Sequence, residues 1–304
     1  MALQPTPEKL TDLTRAAIWA RQLRLEQWIK NGFVLAPLIF GMRLGDARAL
    51  LRVALTFGAF CLAASGSYIL NDLHDLREDS NHPEKRLRPL AAGAISRHAA
   101  VTAMLFFLLA SLAAAYRVST EVFLALLAYF GLNVAYSVAL KRIVILDVLV
   151  LASGYVVRVL AGAAAADVSA SPWVLTATFF IALVLGFGKR RAEMASLSDG
   201  ANESRSVLAR YTLPVLDMFI EISAASTVIT YALYVVESET AAHLGSSNLL
   251  LTLPCVIFGL FRYLYILRTV NSGSNPTKLV LTDLPLGVTI LVWGAIVLAL
   301  LYWP

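Results

Sequence analysis

Residues 71–93 read NDLHDLREDSNHPEKRLRPLAAG, a cluster of acids followed by bases between long apolar runs. On a helix, steps of three and four bring Asp72, Asp75 and Asp79 onto one face, about one turn apart. Carboxylates aligned so closely repel one another unless a cation sits among them. Oxygen-only ligands suit a hard divalent ion such as Mg2+, which bridges a few carboxylates to substrate phosphates. Just downstream, Lys85, Arg86 and Arg88 supply fixed positive charge, and the planar fork of Arg matches phosphate oxygens. The pattern points to a site for a metal and a diphosphate. The competing reading is a charged loop whose acids and bases pair and merely stop transfer.

The elements that position these residues follow from composition. The chain has 304 residues, 59% hydrophobic and 15% charged, with a mean hydropathy of +0.72. A soluble domain needs more charge to cover its surface, so the expectation is an all-α, polytopic membrane protein. Crossing a bilayer core takes about 20 apolar residues. Nine stretches qualify, near 27–44, 50–71, 98–116, 120–140, 143–165, 172–188, 213–235, 249–268 and 284–303, and they are expected to surround a central cavity. A single membrane domain is expected over 1–304. It would carry a short interfacial helix in 1–24, with Thr11 as candidate cap, and two long motif loops, 72–97 and 189–212. The segments 236–248 and 270–278 read as polar connections.

The net charge of +5 does not point to nucleic acid. Lys9, Arg15, Arg21, Arg24 and Lys30 precede or open the first span, and the other bases concentrate in alternate loops. The opposite loops hold only Arg43, Arg48, Arg52 and Arg117. By the positive-inside rule the amino terminus and the motif loops face the cytoplasm. Cys61 and Cys255 fall inside expected spans and read as packing residues. His74 and His82 are lone histidines without metal-ligand spacing.

Further polar residues sit where they are expensive. Arg158 lies in the middle of an expected span, where a charge costs about 2.5 kcal/mol or more, so it is expected to face an interior cavity. Asp147 stands a few residues inside the same span and is expected to pair with Lys141 or Arg158. Tyr136 and Lys141 close the preceding span. After the sixth span, GKRRAEMASLSDGANESR (188–205) places Lys189, Arg190 and Glu193 at the helix end, with Asp199 and Glu203 beyond.

NDxxDxxxD running into HPxKRxRPLAxG resembles the first motif of the UbiA-type prenyltransferase superfamily, nine-helix membrane enzymes that use Mg2+ to bind a diphosphate donor. RLEQWIKN (24–31), AYSVALKR (135–142), GKRRAE (188–193) and SNPTKLVLTDLPL (274–286) are similar to the branch that transfers a phosphoribosyl group to decaprenyl phosphate. These stretches cover most of the chain. Leu25-Glu26 departs from that branch's opening pair, and Lys189-Arg190 replaces the acidic second motif usual in the superfamily. The resemblance implies that Asn71, Asp72, Asp75 and Asp79 hold the metal. It makes Asp72, Asp75, Lys189 and Glu193 the candidate catalytic groups. Lys30, Asn71, Lys85, Arg86, Arg88, Tyr136, Lys141, Arg158 and Arg190 become the candidate substrate contacts.

The implied reaction moves a phosphoribosyl group from 5-phosphoribosyl 1-diphosphate to a polyprenyl phosphate, releasing diphosphate, in the inner (plasma) membrane of a bacterium. Prenyl transfer from a polyprenyl diphosphate to an aromatic or quinone precursor uses the same metal site and stays open. So does a lipid transporter without chemistry. The partners expected are these substrates and membrane lipids, with no nucleic acid; homo-oligomerisation is left open.

Overall fold

The structure is a computed structural model that describes residues 14–81, 85–197, 208–237, 248–269 and 282–303. Eight helices are long and apolar enough to cross a membrane, and no strand occurs among the described residues. Helix α1 (Arg15–Leu23) is followed by a 3₁₀ segment (Leu25–Leu35) and α2 (Ala36–Phe40). Then come α3 (Ala47–His74), α4 (Leu76–Asn81), α5 (Arg97–Val118), α6 (Thr120–Val138), α7 (Leu146–Ala166) and α8 (Pro172–Leu197). The last three are α9 (Leu213–Glu237), α10 (Leu253–Thr269) and α11 (Leu284–Tyr302).

The first expected span, 27–44, is not a long α-helix. Pro37 cannot donate a backbone hydrogen bond and its ring would clash with the carbonyl four residues back, so a continuous α-helix cannot run through it. The chain instead winds as 3₁₀ from Leu25 to Leu35 and restarts as α2, where Pro37 falls in the first turn and its missing donor costs nothing. A 3₁₀ helix rises about 2.0 Å per residue, so the 3₁₀ segment and α2 together cover about 30 Å, the thickness of a bilayer core. Eight of the nine expected spans are thus long helices among the described residues, and the first is a 3₁₀ segment followed by a short helix.

Caps explain several boundaries. Asp46 accepts from the backbone of Arg48 (2.9 Å) and Ala49 (3.1 Å) to open α3. Ser96 and Ser119 do the same for α5 and α6, and Asp283 for α11. Helix α1 is capped by Thr14, while Thr11 lies outside the described residues. Ile18, Trp19 and Leu23 of α1 pack against Leu73, Leu76, Leu90 and Ile95, fastening α1 to the loop that carries the acids.

Small residues bring the layers together. Helix α3 packs on α5, and α7 lies between the 3₁₀ segment, α3, α6 and α8. A Cβ on Gly162 of α7 would stand 2.1 Å from the Val34 carbonyl oxygen, so only glycine lets the 3₁₀ segment lie this close. Outward, Phe106, Leu109, Phe261 and Leu291 are each more than 60% exposed, which suits lipid rather than water. The protein is an integral membrane protein.

Candidate active site

A cavity of about 570 Å³ opens among α3, α6, α7, α8 and the 3₁₀ segment. Its wall carries Arg24, Lys30, Lys85, Lys141, Arg142, Arg158, Lys189 and Arg190, eight bases against the two acids Asp75 and Glu78. The hollow thus carries an excess of positive charge, and Arg24, Lys85, Lys141, Lys189 and Arg190 are paired with carboxylates at or behind its wall.

The acidic motif sits at one edge of this hollow. Helix α3 ends at His74, with Asp75 as its C-cap, and the chain bends into α4. The row of three carboxylates expected from the spacing is therefore divided. Asp72 and Asp79, 3% and 2% exposed, face a common neighbour: Nη1 of Arg88 donates to Asp72 (3.1 Å) and to Asp79 (2.5 Å). Asp72 also accepts from Arg24 Nη2 (2.6 Å) and Gln22 Nε2 (2.9 Å). Asp75 turns to the cavity side, where Lys141 Nζ lies 2.5 Å away and Asn71 Nδ2 donates at 3.2 Å. No group of three or more potential metal ligands converges among the described residues. Burial raises the Asp79 carboxyl above its ordinary range, against the pull of Arg88 and Lys85.

The donor set nevertheless fits a hard divalent ion. All the donors are carboxylate or amide oxygens, and two carboxylates already meet on one cationic nitrogen, where a metal's charge would do the same work. Asp75 would have to exchange Lys141 for the ion. Arg88 therefore stands behind the acids and off the cavity wall, whereas Lys85 lines it. Arg86 is exposed and does not line the cavity, contrary to its expected role as a phosphate contact.

On the facing wall, α8 supplies the second polar cluster. Arg190, 3% exposed, donates from Nε to Asp147 (2.8 Å), from Nη1 to Glu193 (2.8 Å) and from Nη2 to Tyr136 (3.3 Å). Asp147 is thus the partner of Arg190, and neither Lys141 nor Arg158 takes it as expected. Its second oxygen accepts from Tyr211 Oη (2.9 Å), which also receives the Ile145 backbone N–H (2.6 Å). Ile145 has a φ of 70°, a strained value for a β-branched residue, held by this contact at the start of α7. Burial lifts the Tyr211 phenol well above its usual range, so it stays protonated and donates. Lys189 reaches the cavity with its Nζ 3.8 Å from Glu193. Arg191 of the same motif points elsewhere, to Asp217 (2.6 Å) and the Leu267 carbonyl, tying α8 to α9 and α10.

At the floor lies Arg158. Its guanidinium donates to Asn31 (2.7 Å), the Gly154 carbonyl (2.7 Å) and Tyr129 (3.0 Å), and sits over the rings of Tyr129 and Tyr155. It forms no ion pair with a carboxylate among the described residues. A buried cation satisfied by neutral groups alone keeps its full charge available to an incoming anion.

Several site residues were not expected from sequence. Arg24, with a φ of 52°, turns α1 into the 3₁₀ segment, pairs with Asp72 and lies 4.7 Å from the Tyr68 ring centroid. Gln22, Asn31, Tyr129, Ser137 and Tyr211 complete the polar contacts, and none carries a charge or a spacing that marks it in the sequence. His82, Asp199 and Glu203 lie outside the described residues.

The described residues form an all-helical membrane bundle around a cationic cavity, with an acidic cluster at its edge. Residues 34–284 match the model of the UbiA prenyltransferase family, and the chain belongs to that family of membrane transferases. It is 31% identical over 310 residues to the decaprenyl-phosphate phosphoribosyltransferase of Mycolicibacterium smegmatis, covering 99% of this chain and 96% of that one. It is 32% identical over 283 residues to the enzyme of that name from Mycobacterium tuberculosis, covering 91% and 92%. The fold resembles that of a UbiA homologue from Archaeoglobus fulgidus bound to GPP and Mg2+, with a TM-score of 0.71, 21% identity, and 93% and 99% of the two chains covered.

Proposed function

We propose that the protein transfers a phosphoribosyl group from 5-phosphoribosyl 1-diphosphate to a polyprenyl phosphate. The observation that carries this reading is the surplus of bases around the cavity: eight line it, and six carboxylates line it or pair with those eight. A prenyl diphosphate and an aromatic acceptor bring one phosphate-type group between them. A phosphoribosyl donor and a lipid phosphate bring three: a diphosphate, a 5-phosphate and a phosphomonoester. The relatives that align over nearly the whole chain bear the name of this activity, which supports the same choice.

In the reaction the bond from ribose C1 to the diphosphate oxygen breaks, and a bond from C1 to an oxygen of the lipid phosphate forms. Diphosphate leaves with the electron pair of the broken bond. Asp72, Asp75 and Asp79, with Asn71, would hold Mg2+, which supplies charge neutralisation to the leaving diphosphate. Lys85 and Lys141 bind the same group from the cavity side, and Arg88 and Arg24 hold the Asp72 carboxylate in place by hydrogen bonds. Arg190 is fixed on three sides, so it meets a phosphate oxygen without reorganising. Lys30 and Arg158 hold the remaining phosphate groups deeper in the hollow, and the exposed Lys189 meets them at its mouth. The apolar backing excludes water, so the lipid phosphate and not water captures the cationic sugar carbon. The positive-inside distribution supports a cytoplasmic mouth and amino terminus.

The test is to incubate purified protein with Mg2+, polyprenyl phosphate and phosphoribosyl diphosphate labelled in the ribose. Label in the lipid phase is the expected result. Absence of lipid label together with prenylation of a hydroxybenzoate would overturn the reading in favour of aromatic prenyl transfer.

A further inference from the structure

A second cavity, of about 260 Å³, lies at the other end of the bundle. Arg43, Asp46, Arg48 and Arg52 line it from the start of α3, and Asp167 from the end of α7. Arg48 and Asp72 are about 36 Å apart along α3 at 1.5 Å per residue, so this hollow is separate from the transferase site. Only four arginines fall in or beside the loops expected on this side of the membrane, and three of them gather here.

The backbone is shaped to collect them. Met42 and Asp167 have φ values of 54° and 56°, tight left-handed turns on either flank. A Cβ on Gly41 would stand 2.9 Å from Val168 Cγ1, so the loop before α3 presses on the end of α7. Three arginines against Asp46 and Asp167 leave a surplus of one positive charge on the lining. Asp46 takes Arg43 at 2.8 Å and also caps α3, while Arg52 reaches the Ala164 carbonyl at 3.2 Å. The Nε atoms of Arg43 and Arg52 are buried with no hydrogen-bond partner among the described residues. Buried donors are rarely left unmatched, and guanidinium groups gathered around a small hollow are well suited to an oxyanion. Leu50, Leu51 and Leu55 stand exposed on the adjoining turns of a helix long and apolar enough to cross a membrane.

We propose that this cavity binds a phosphate group, with Arg48 and Arg52 as donors. When the phosphate belongs to a lipid, the leucines beside it receive the acyl chains. The site does not rest on the transferase reading and takes no part in it.

The test uses the full chain in detergent micelles and compares wild type, Arg48→Gln/Arg52→Gln and Arg117→Gln. The last removes the same kind of charge from the same end, outside the cavity. In one arm, native mass spectrometry counts phosphatidylglycerol retained per protein. In the other, the thermal midpoint is followed as inorganic phosphate is titrated in lipid-free micelles. The transferase cavity contributes equally in all three proteins. The proposal expects retained lipid to fall at least threefold, or half-saturation by phosphate to rise at least fivefold, in the double variant alone. A response confined to the lipid arm identifies a headgroup, and one confined to the phosphate arm identifies free phosphate. No response in either arm, or an equal loss in Arg117→Gln, overturns the site. Should the double variant not fold, Arg48→Gln keeps the backbone cap of α3 and is expected to show at least a twofold change in the same readouts.

Discussion

Gly162→Ala tests how the 3₁₀ segment is held. The added Cβ would lie 2.1 Å from the Val34 carbonyl oxygen, 2.9 Å from its carbon and 3.1 Å from its Cα. Ordinary contact begins at 3.4 Å, and no rotamer change can relieve a clash with backbone. The segment must therefore retreat by about 1.3 Å, within the shifts that overpacking forces at a cost of about 1–3 kcal/mol. Asn31 stands one 3₁₀ turn before Val34, and its bond to Arg158 is 2.7 Å. A retreat of that size breaks it and leaves a buried guanidinium short of one acceptor, about 1–3 kcal/mol more. Together these lower the thermal midpoint in detergent on the order of 5–15 °C. Turnover should fall too, because Lys30 moves with the segment. Gly131→Ala is the control: nothing lies within 4 Å of its added Cβ, so it should be neutral or slightly stabilising. A midpoint for Gly162→Ala within 1–2 °C of wild type, roughly the span of the control, would refute the reasoning.

Three more outcomes follow from the site. Asp72→Asn preserves shape but removes the charge held by Arg24 and Arg88; turnover should drop at least about 100-fold while membrane expression persists. Loss of expression instead would make the carboxylate structural. Arg190→Gln leaves Asp147 buried beside Tyr211 without its cation and should destabilise by about 3–5 kcal/mol. Adding Asp147→Asn should recover at least about 1 kcal/mol, whereas strictly additive losses would deny the coupling. Chelation with EDTA should stop turnover and added Mg2+ restore it; full activity in EDTA would remove the metal from the account.

The hydropathic runs made all eight membrane-length helices readable, because a span is long and its apolar content needs no register. The first expected span was readable as an apolar stretch but not as a 3₁₀ winding, since the consequence of Pro37 depends on how closely α7 allows the chain to approach at Gly162. The acidic motif was readable by type and spacing. Its division was not: the bend at Asp75 and the reach of Arg88 depend on tertiary contacts, including Arg24, which is 48 residues from Asp72. Arg158 was correctly read as facing a cavity, because insertion cost leaves a mid-span arginine few other places. The Asp147–Arg190 pair joins two helices 43 residues apart, and nothing local distinguished Arg190 from Lys141 or Arg158 as the partner.

The central claim is that the cavity's excess of bases serves an acceptor that carries its own phosphate. Purified protein given Mg2+, labelled phosphoribosyl diphosphate and either polyprenyl phosphate or the polyprenol of the same length tests it most directly. Label should enter the lipid phase only with the phosphorylated acceptor; comparable labelling of the free alcohol would contradict it.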